Sequence, residues 1–261
     1  HQLHSGYCIV CDCWTCASLP RGVPTGAFGP RLTALMSLLT GQYRLSKRLA
    51  QDLLSCVLNI DLALGSVSRL EQSISSATAA PVEEARVFVR EQTIAHMDET
   101  GWREALRKAW LWVAVAGLVT VFTISRSRGS GVAKQMLGED FSGFLVTDRW
   151  SGYNWFDPDL RQVCWSHLDR DFQGFVDRGG AGAPIGRALQ RQSTKMFKWW
   201  RRVGDGTLER RTFERRMVKV EAEVGRLLRK AEVCSSAKTA GMAREILKLE
   251  KALFTFVSVE A

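Results

Sequence analysis

The sequence predicts an α/β protein: a mixed sheet flanked by helices, preceded by a helical module and followed by a basic, all-helical segment. Three observations carry this. Residues 31–80 read as three short helices. Residues 90–180 run in the order three strands, helix, strand, short connection, strand, helix. From 185 to 261 the pattern is helical throughout. Apolar residues make up 46% of the 261, enough for a real core, which excludes a disordered chain.

The elements follow in order. Residues 1–20 hold four of the seven cysteines and read as irregular. RGVPTGAFGP, with three glycines and two prolines, reads as a linker. RLTALMSLLTG predicts a helix that Gly41 would stop. SKRLAQDLLSCVL predicts a second, with Ser46 as its N-cap. After the connection NIDLALG, SVSRLEQSISSA predicts a third, with Ser68 and Glu71 at capping-box spacing. Two short helices around a brief turn permit a helix-turn-helix, whose DNA-facing helix would open with Ser66, Ser68 and Arg69. An ordinary helical hairpin fits the same pattern.

Pro81 and the charged run EEAR read as a boundary, after which the pattern turns from helix to strand. QTIAHMD, residues 92–98, alternates and ends in Asp98. AWLWVAVAGLVTVFTIS, residues 109–125, is uncharged for seventeen residues. A membrane span needs roughly 20. Gly117 at its centre and the β-branched second half predict two strands, 110–116 and 119–125, joined by a tight turn, and no membrane segment. SRSRGSG reads as a loop and VAKQMLG as a short helix. FLVTD is a fourth strand ending in Asp148, and QVCWSH, 162–167, a fifth. LDRDFQGFVDR begins another helix. The rest, from Ile185, includes MFKWWRRV, TLERRTFERRMVKVEAEVGRLLRKAE and AREILKLEKALFTFV.

The net charge is +9, and residues 187–230 alone hold fourteen Lys/Arg against five Asp/Glu. A basic block of this kind points to a polyanion, nucleic acid being the usual one. Arg201, Arg202, Arg210, Arg211, Arg215 and Arg216 are its candidate phosphate contacts; a solvated helical face is the bland alternative. Trp199 and Trp200 lie in the same block, where packing into a helical core is the default for such large rings, ahead of stacking on bases. An odd cysteine count without a signal peptide argues against a secreted disulfide framework and predicts a reducing cytoplasm.

Asp98 and Asp148 raise the chemical question, because each ends a strand with an apolar interior. Ile94, His96 and Asp98 share one strand face, and Phe144, Val146 and Asp148 another. If the strands are neighbours, both carboxylates emerge at one end of the sheet. They then repel unless a cation sits between them. Mg²⁺ (or Mn²⁺) is the natural cation, and such ions support phosphodiester chemistry. Strand-end aspartates also cap turns, which is the plainer reading.

The blocks AHMDETGWRE, KAWLWVAV, SRSRGSGVAKQMLGEDFSG, TDRWSGYNW and CWSHLDRDFQGFVDRGG resemble the transposases of the insertion sequence 66 group. LPRGVPTGAFGPRL, YRLSKR, KTAGMAREILK and LFTFVSVE add to the likeness, which covers nearly the whole chain in the right order. The resemblance implies a ribonuclease-H-like core with a metal-binding DDE triad. Asp98 of MDET matches its first acid and Asp148 of TDRW its second. The third, a glutamate, belongs to an Asn-Asn-x-x-Glu-Arg-like block after the helical insertion; the chain stops at SVEA without it, and Glu260 does not match that glutamate. His167 and Arg170 match a His-x-x-Arg element near the family's active site. The family's N-terminal zinc element makes Cys8, Cys11, Cys13 and Cys16 candidates for Zn²⁺, with His1 and His4 nearby.

The implied organisation is a zinc-finger-like remnant at 1–20, a DNA-binding module at 31–80, a catalytic core at 90–180 and a basic helical insertion at 185–261. The implied partners are DNA, as terminal repeats and target, a homo-oligomer on that DNA, and accessory proteins. The implied setting is the bacterial cytoplasm, at the nucleoid. The absent acid block predicts a truncated transposase. The alternatives are an inactive DNA-binding remnant, or a ribonuclease-H-like nuclease that completes its site with a local acid. Asp169, Asp171 and Asp177 are the nearest, and Asp171 is the first suspect.

Overall fold

The structure, a computed structural model, describes residues 3–23, 28–104 and 106–259. It divides into two units, His1–Pro81 and Val82–Ala261. Part of the RGVPTGAFGP linker, with His1 and Glu260, falls outside the described residues.

The first unit opens with a hairpin, not with irregular chain. Strands β1 (Ser5–Cys8) and β2 (Cys13–Cys16) pair antiparallel, with Cys8 opposite Cys13 and Tyr7 opposite Trp14. Asp12 turns the connection in a left-handed conformation (φ 54°) and accepts a hydrogen bond from the Tyr7 hydroxyl. The Tyr7 and Trp14 rings meet across the strands at 5.6 Å, a pairing that stabilises such ladders.

Helix α1 (Pro30–Ser37) starts with proline at its first position, where a missing N–H costs nothing. It runs on through a wider π turn, Leu38–Gln42, so Gly41 lies inside the last turn and does not stop the helix. Ser46 caps α2 (Lys47–Leu58) as expected, accepting from the Leu49 N–H at 3.2 Å. Asn59, left-handed at φ 52°, ends it. Helix α3 (Leu64–Ala77) begins ahead of Ser66, so Ser68 and Glu71 form no capping box. Both turn to α2 instead: Lys47 Nζ donates to Ser68 Oγ at 2.9 Å and pairs with Glu71 at 2.7 Å. Met36, Leu39, Ala50, Leu54, Val67 and Leu70 close a small core among the three helices.

Helix α4 (Ala79–Arg90) runs across the division between the units, which falls at Pro81, where the sequence reading set its boundary. Proline sits in its first turn and so does not break it. Strands β3 (Ile94–Glu104), β4 (Arg107–Ala116) and β5 (Val119–Ser125) form an antiparallel meander. Gly117, at φ 53°, makes the tight β4–β5 turn. Helix α5 (Ser130–Leu137) then leads to β6 (Phe144–Thr147) and β7 (Arg161–Val163). The sheet order is β5-β4-β3-β6-β7, with β3, β6 and β7 mutually parallel.

Two expectations fail here. β3 does not end at Asp98; pairing with β4 carries it on to Glu104. The fifth strand is shorter than QVCWSH, because α6 (Trp165–Asp177) already starts at Trp165 and puts His167 in its first turn. Long helices α7 (Gly182–Gly204) and α8 (Arg210–Glu232), then α9 (Ala237–Leu247) and two short 3-10 turns, complete the unit.

One core lies on the sheet face that carries Ala95, Met97, Trp112 and Leu145, packed with Val89 of α4 and Leu137 of α5. A second joins α6 to α9 through Phe172, Leu189, Phe213, Met217, Leu228 and Ile246. Trp200 packs on Phe213 and Phe256, so its core reading holds. β5 is an edge strand whose Phe122 and Ile124 are 58% and 48% exposed. Among the described residues no helix is long and apolar enough to cross a membrane.

Candidate active site

The site grows from the parallel pairing of β3 and β6. Their register sets Ile94 beside Phe144 and His96 beside Val146. Two residues further on, the same register brings Asp98 level with Asp148, just past the end of β6. β7 then delivers α6, whose first turn carries His167. One ligand atom each from Asp98, Asp148 and His167 lies within 4.8 Å of the others. Asp98 Oδ2 is 3.8 Å from His167 Nε2.

Each carboxylate is oriented by a backbone amide. Asp98 Oδ1 accepts from the Glu99 N–H at 2.9 Å, and Asp148 Oδ1 from the Trp150 N–H at 2.8 Å. That leaves the second oxygen of each for a ligand. His167 Nδ1 is buried and has no hydrogen-bond partner among the described residues.

Two residues that the sequence reading missed hold this arrangement from behind. Arg161 of β7 is 1% exposed, yet no carboxylate pairs with it among the described residues. It spends its donors on neutral oxygens: Asp148 C=O at 2.9 Å, Trp150 C=O at 3.3 Å, Asn154 Oδ1 at 2.9 Å and Thr147 Oγ1 at 3.1 Å. Burial pulls its pKa down, and the nearby charge of Asp148 opposes that. Glu99, beside Asp98 but on the opposite strand face, has a fully buried side chain. It accepts from the Tyr153 hydroxyl at 2.7 Å and from Arg128 Nε at 2.9 Å. Burial raises its carboxyl above the usual range, while Tyr153 and Arg128 pull it back. Both residues left a signal: each is a charge where the strand pattern calls for an apolar side chain.

Asp148 and His167 open onto a cleft of about 530 Å³ that Arg128, Arg149, Arg170, Asp171 and Glu245 also line. Arg170, read with His167 as a His-x-x-Arg element, lines this cleft. Asp171 lines the cleft too but is not in the three-residue group. Arg149 holds both its oxygens, Nη2 donating to Oδ1 at 3.0 Å and Nε to Oδ2. That engagement makes Asp171 a partner for arginine, not a free acid. Asp169 and Asp177 are not among the lining residues, and Asp177 accepts from Gln173. Glu245 of α9, paired with Lys248 at 2.7 Å, joins the wall through tertiary packing alone, which left no sign in the sequence.

The remaining candidates are not members of this three-residue group. Cys8, Cys11, Cys13 and Cys16 are exposed on the first unit's hairpin. Among the described residues the Asp98–Asp148–His167 group is the only cluster of close metal-ligand atoms, and the cysteines do not converge in that way. Ser66 and Ser68 are half-buried in α3, and Arg69 is exposed.

In the basic segment Arg201, Arg211 and Arg215 are exposed. Arg202 is tied to Thr207, and Arg216 lies over the Trp199 ring. Arg210 is not a phosphate contact in waiting: it caps the carbonyls of Phe256, Val257 and Val259 and packs on Trp200.

The family model described as "Transposase IS66 family" matches residues 25–260. No curated protein matches the chain. With a match that runs from the helices of the first unit through nearly all of the second, the chain belongs to the IS66 family of transposases.

Proposed function

We propose that this protein performs the DNA strand chemistry of transposition at a divalent-metal site held by Asp98, Asp148 and His167, on a ribonuclease-H-like core. Family membership implies the transposition function and DNA as partner. The observation that carries the site is the convergence of two carboxylates and an imidazole within 4.8 Å, at one end of neighbouring parallel strands. Strand order β5-β4-β3-β6-β7, three strands antiparallel and the rest parallel, supports the ribonuclease-H-like reading.

The residues fit Mg²⁺ or Mn²⁺. Each carboxylate keeps one oxygen free of backbone hydrogen bonds, and hard oxygen donors suit both ions. The imidazole is a better ligand for Mn²⁺. When bound, such ions activate a water or a 3′-hydroxyl and offset charge on the leaving oxygen. The chain's own residues do the positioning. Glu99 N–H and Trp150 N–H aim the two carboxylates, and Arg161 fixes the backbone of Asp148. Arg170 brings positive charge to the cleft for a DNA phosphate, while Arg149 commits Nε and Nη2 to the two oxygens of Asp171.

The α2–α3 pair of the first unit and the exposed arginines of α7 and α8, Arg201, Arg211 and Arg215, are the further proposed DNA-binding surfaces. Assembly of several copies on the element's ends, with accessory proteins, completes the proposal.

Mn²⁺ titration followed by electron paramagnetic resonance tests the site, alongside metal-dependent nicking of DNA carrying the element's ends. Asp98→Asn and Asp148→Asn should each weaken Mn²⁺ binding by more than about tenfold, the least that losing even a supporting group commonly costs. Equal affinity in either variant and the parent would rule out this metal site.

A further inference from the structure

We propose that Arg128 is a phosphate-binding residue of the cleft, its guanidinium clamped by Glu99, Trp110 and Trp150 so that it meets a DNA phosphate beside Asp98 and Asp148. This rests on the metal-site reading above for its purpose, though not for its contact with DNA.

Arg128 belongs to the loop between β5 and α5, where a long side chain is ordinarily free. Here its guanidinium carbon lies 4.6 Å from the ring centre of Trp110 and 4.6 Å from that of Trp150. Nε and Nη2 both reach Glu99 Oε1, at 2.9 and 2.8 Å. The loop itself is pinned where Trp112 Nε1 donates to Ser127 C=O at 3.1 Å. Fixing an arginine on three sides forfeits side-chain entropy that a free loop arginine keeps, so the arrangement calls for an explanation.

Holding a buried glutamate needs only a cation. It does not need two flanking indoles or a place in the cleft wall, and Arg128 has both. The side chain stays 37% exposed, and Nη1 makes no hydrogen bond among the described residues. A flat guanidinium with free N–H groups, fixed in plane, is the donor array that matches phosphate oxygens.

The anchors set its register. Glu99 directly follows Asp98 in the chain, and Trp150 lies two residues after Asp148. The Trp150 N–H that supports one wall of the clamp is the same one that aims the Asp148 carboxylate. The clamp and the two acids are therefore built on the same few peptide units. A phosphate held by Arg128 is thereby referred to the metal-binding carboxylates.

The first test uses the unaltered full chain without metal. Phenylglyoxal modifies accessible guanidinium groups, and peptide mass spectrometry reads each site. A short DNA duplex should slow modification of Arg128 several-fold relative to Arg86, which pairs with Glu83 on α4 and does not line the cleft. Equal modification of Arg128 with and without duplex overturns the proposal.

The second test follows duplex affinity against salt for Arg128→Gln, which keeps an N–H for Glu99 and some area against the indoles. The slope of log affinity against log salt should fall by about one unit, the loss of one phosphate contact, with Mn²⁺ binding retained. An unchanged slope overturns it. Protection of Arg128 in a chain that binds no Mn²⁺ removes the metal site and leaves the phosphate contact standing, so the two readings fail separately.

Discussion

Arg161 shows how much of this site rests on a residue that touches no ligand. A guanidinium buried without a carboxylate is costly, and here four oxygens around Asp148 offset the cost. Replacing it strands Asn154 Oδ1 and the acceptor side of Thr147 Oγ1, while Asp148 C=O keeps the Thr147 hydroxyl and Trp150 C=O keeps the Tyr153 N–H. Arg161→Met should destabilise the second unit by about 3 kcal/mol, since each stranded buried group costs roughly 1–3. It should also weaken Mn²⁺ binding, because the Asp148 backbone loses its anchor. Urea unfolding and Mn²⁺ titration check both; stability equal to the parent would show that the oxygens find other donors. Arg161→Lys should rescue little, because one ammonium cannot reach oxygens spread over Thr147, Asp148, Trp150 and Asn154.

Between elements, the α6–α7 crossing depends on Gly186. A Cβ there would meet the Phe172 carbonyl oxygen at 2.7 Å and Phe175 Cβ at 2.8 Å. Neither can retreat, one being backbone and the other core. Gly186→Ala should therefore cost about 1–3 kcal/mol as an overpacked contact. Gly204→Ala, at the open end of the same helix, meets nothing and should be neutral or up to about 1 kcal/mol stabilising. Thermal melts of the pair separate close approach from helix propensity, and equal melts would refute the crossing argument.

Elements of this kind were legible where the pattern is local. The uncharged, β-branched run and the Gly117 turn marked β4 and β5, and Ser46 marked the start of α2. What escaped depends on partners. β3 outruns its apolar stretch because β4 pairs with it to Glu104. Pro81 and EEAR do mark where the two units divide, but helix α4 runs through that division with Pro81 in its first turn. Asp98 and Asp148 were readable as a conditional pair. Their neighbourhood was not: the charges of Glu99 and Arg161 within strands, and of Arg128 in a loop, are interpretable only once their partners are known.

For the whole molecule, the net charge of +9 is concentrated in residues 187–230, and the α7–α8 face turns Arg201, Arg211, Arg215 and Lys219 outward. Removing Arg211, Arg215 and Lys219 together should reduce the salt slope of duplex binding by about 2–3 units at roughly 0.9 per lost phosphate contact. Melting temperature should stay as in the parent. Arg210→Ala should do the opposite, lowering the melting temperature and sparing the slope, because its N–H groups serve the Phe256–Val259 carbonyls. Fluorescence anisotropy across a salt series distinguishes the two, and a slope untouched by the triple change would move the DNA off this face.

The β5 edge has a bearing on how the protein behaves in a tube. One side of that strand pairs with β4; the other leaves its amides and carbonyls open beside Phe122 and Ile124. Open edges with apolar side chains recruit other strands, and aggregation follows. Mutual repulsion between highly cationic copies resists this at low ionic strength. At 1 M salt, where charges are screened within about 3 Å, that resistance is gone. The same salt that strips nucleic acid from the protein thus removes its colloidal protection, and shelf life should be shortest in the buffers that purify it best.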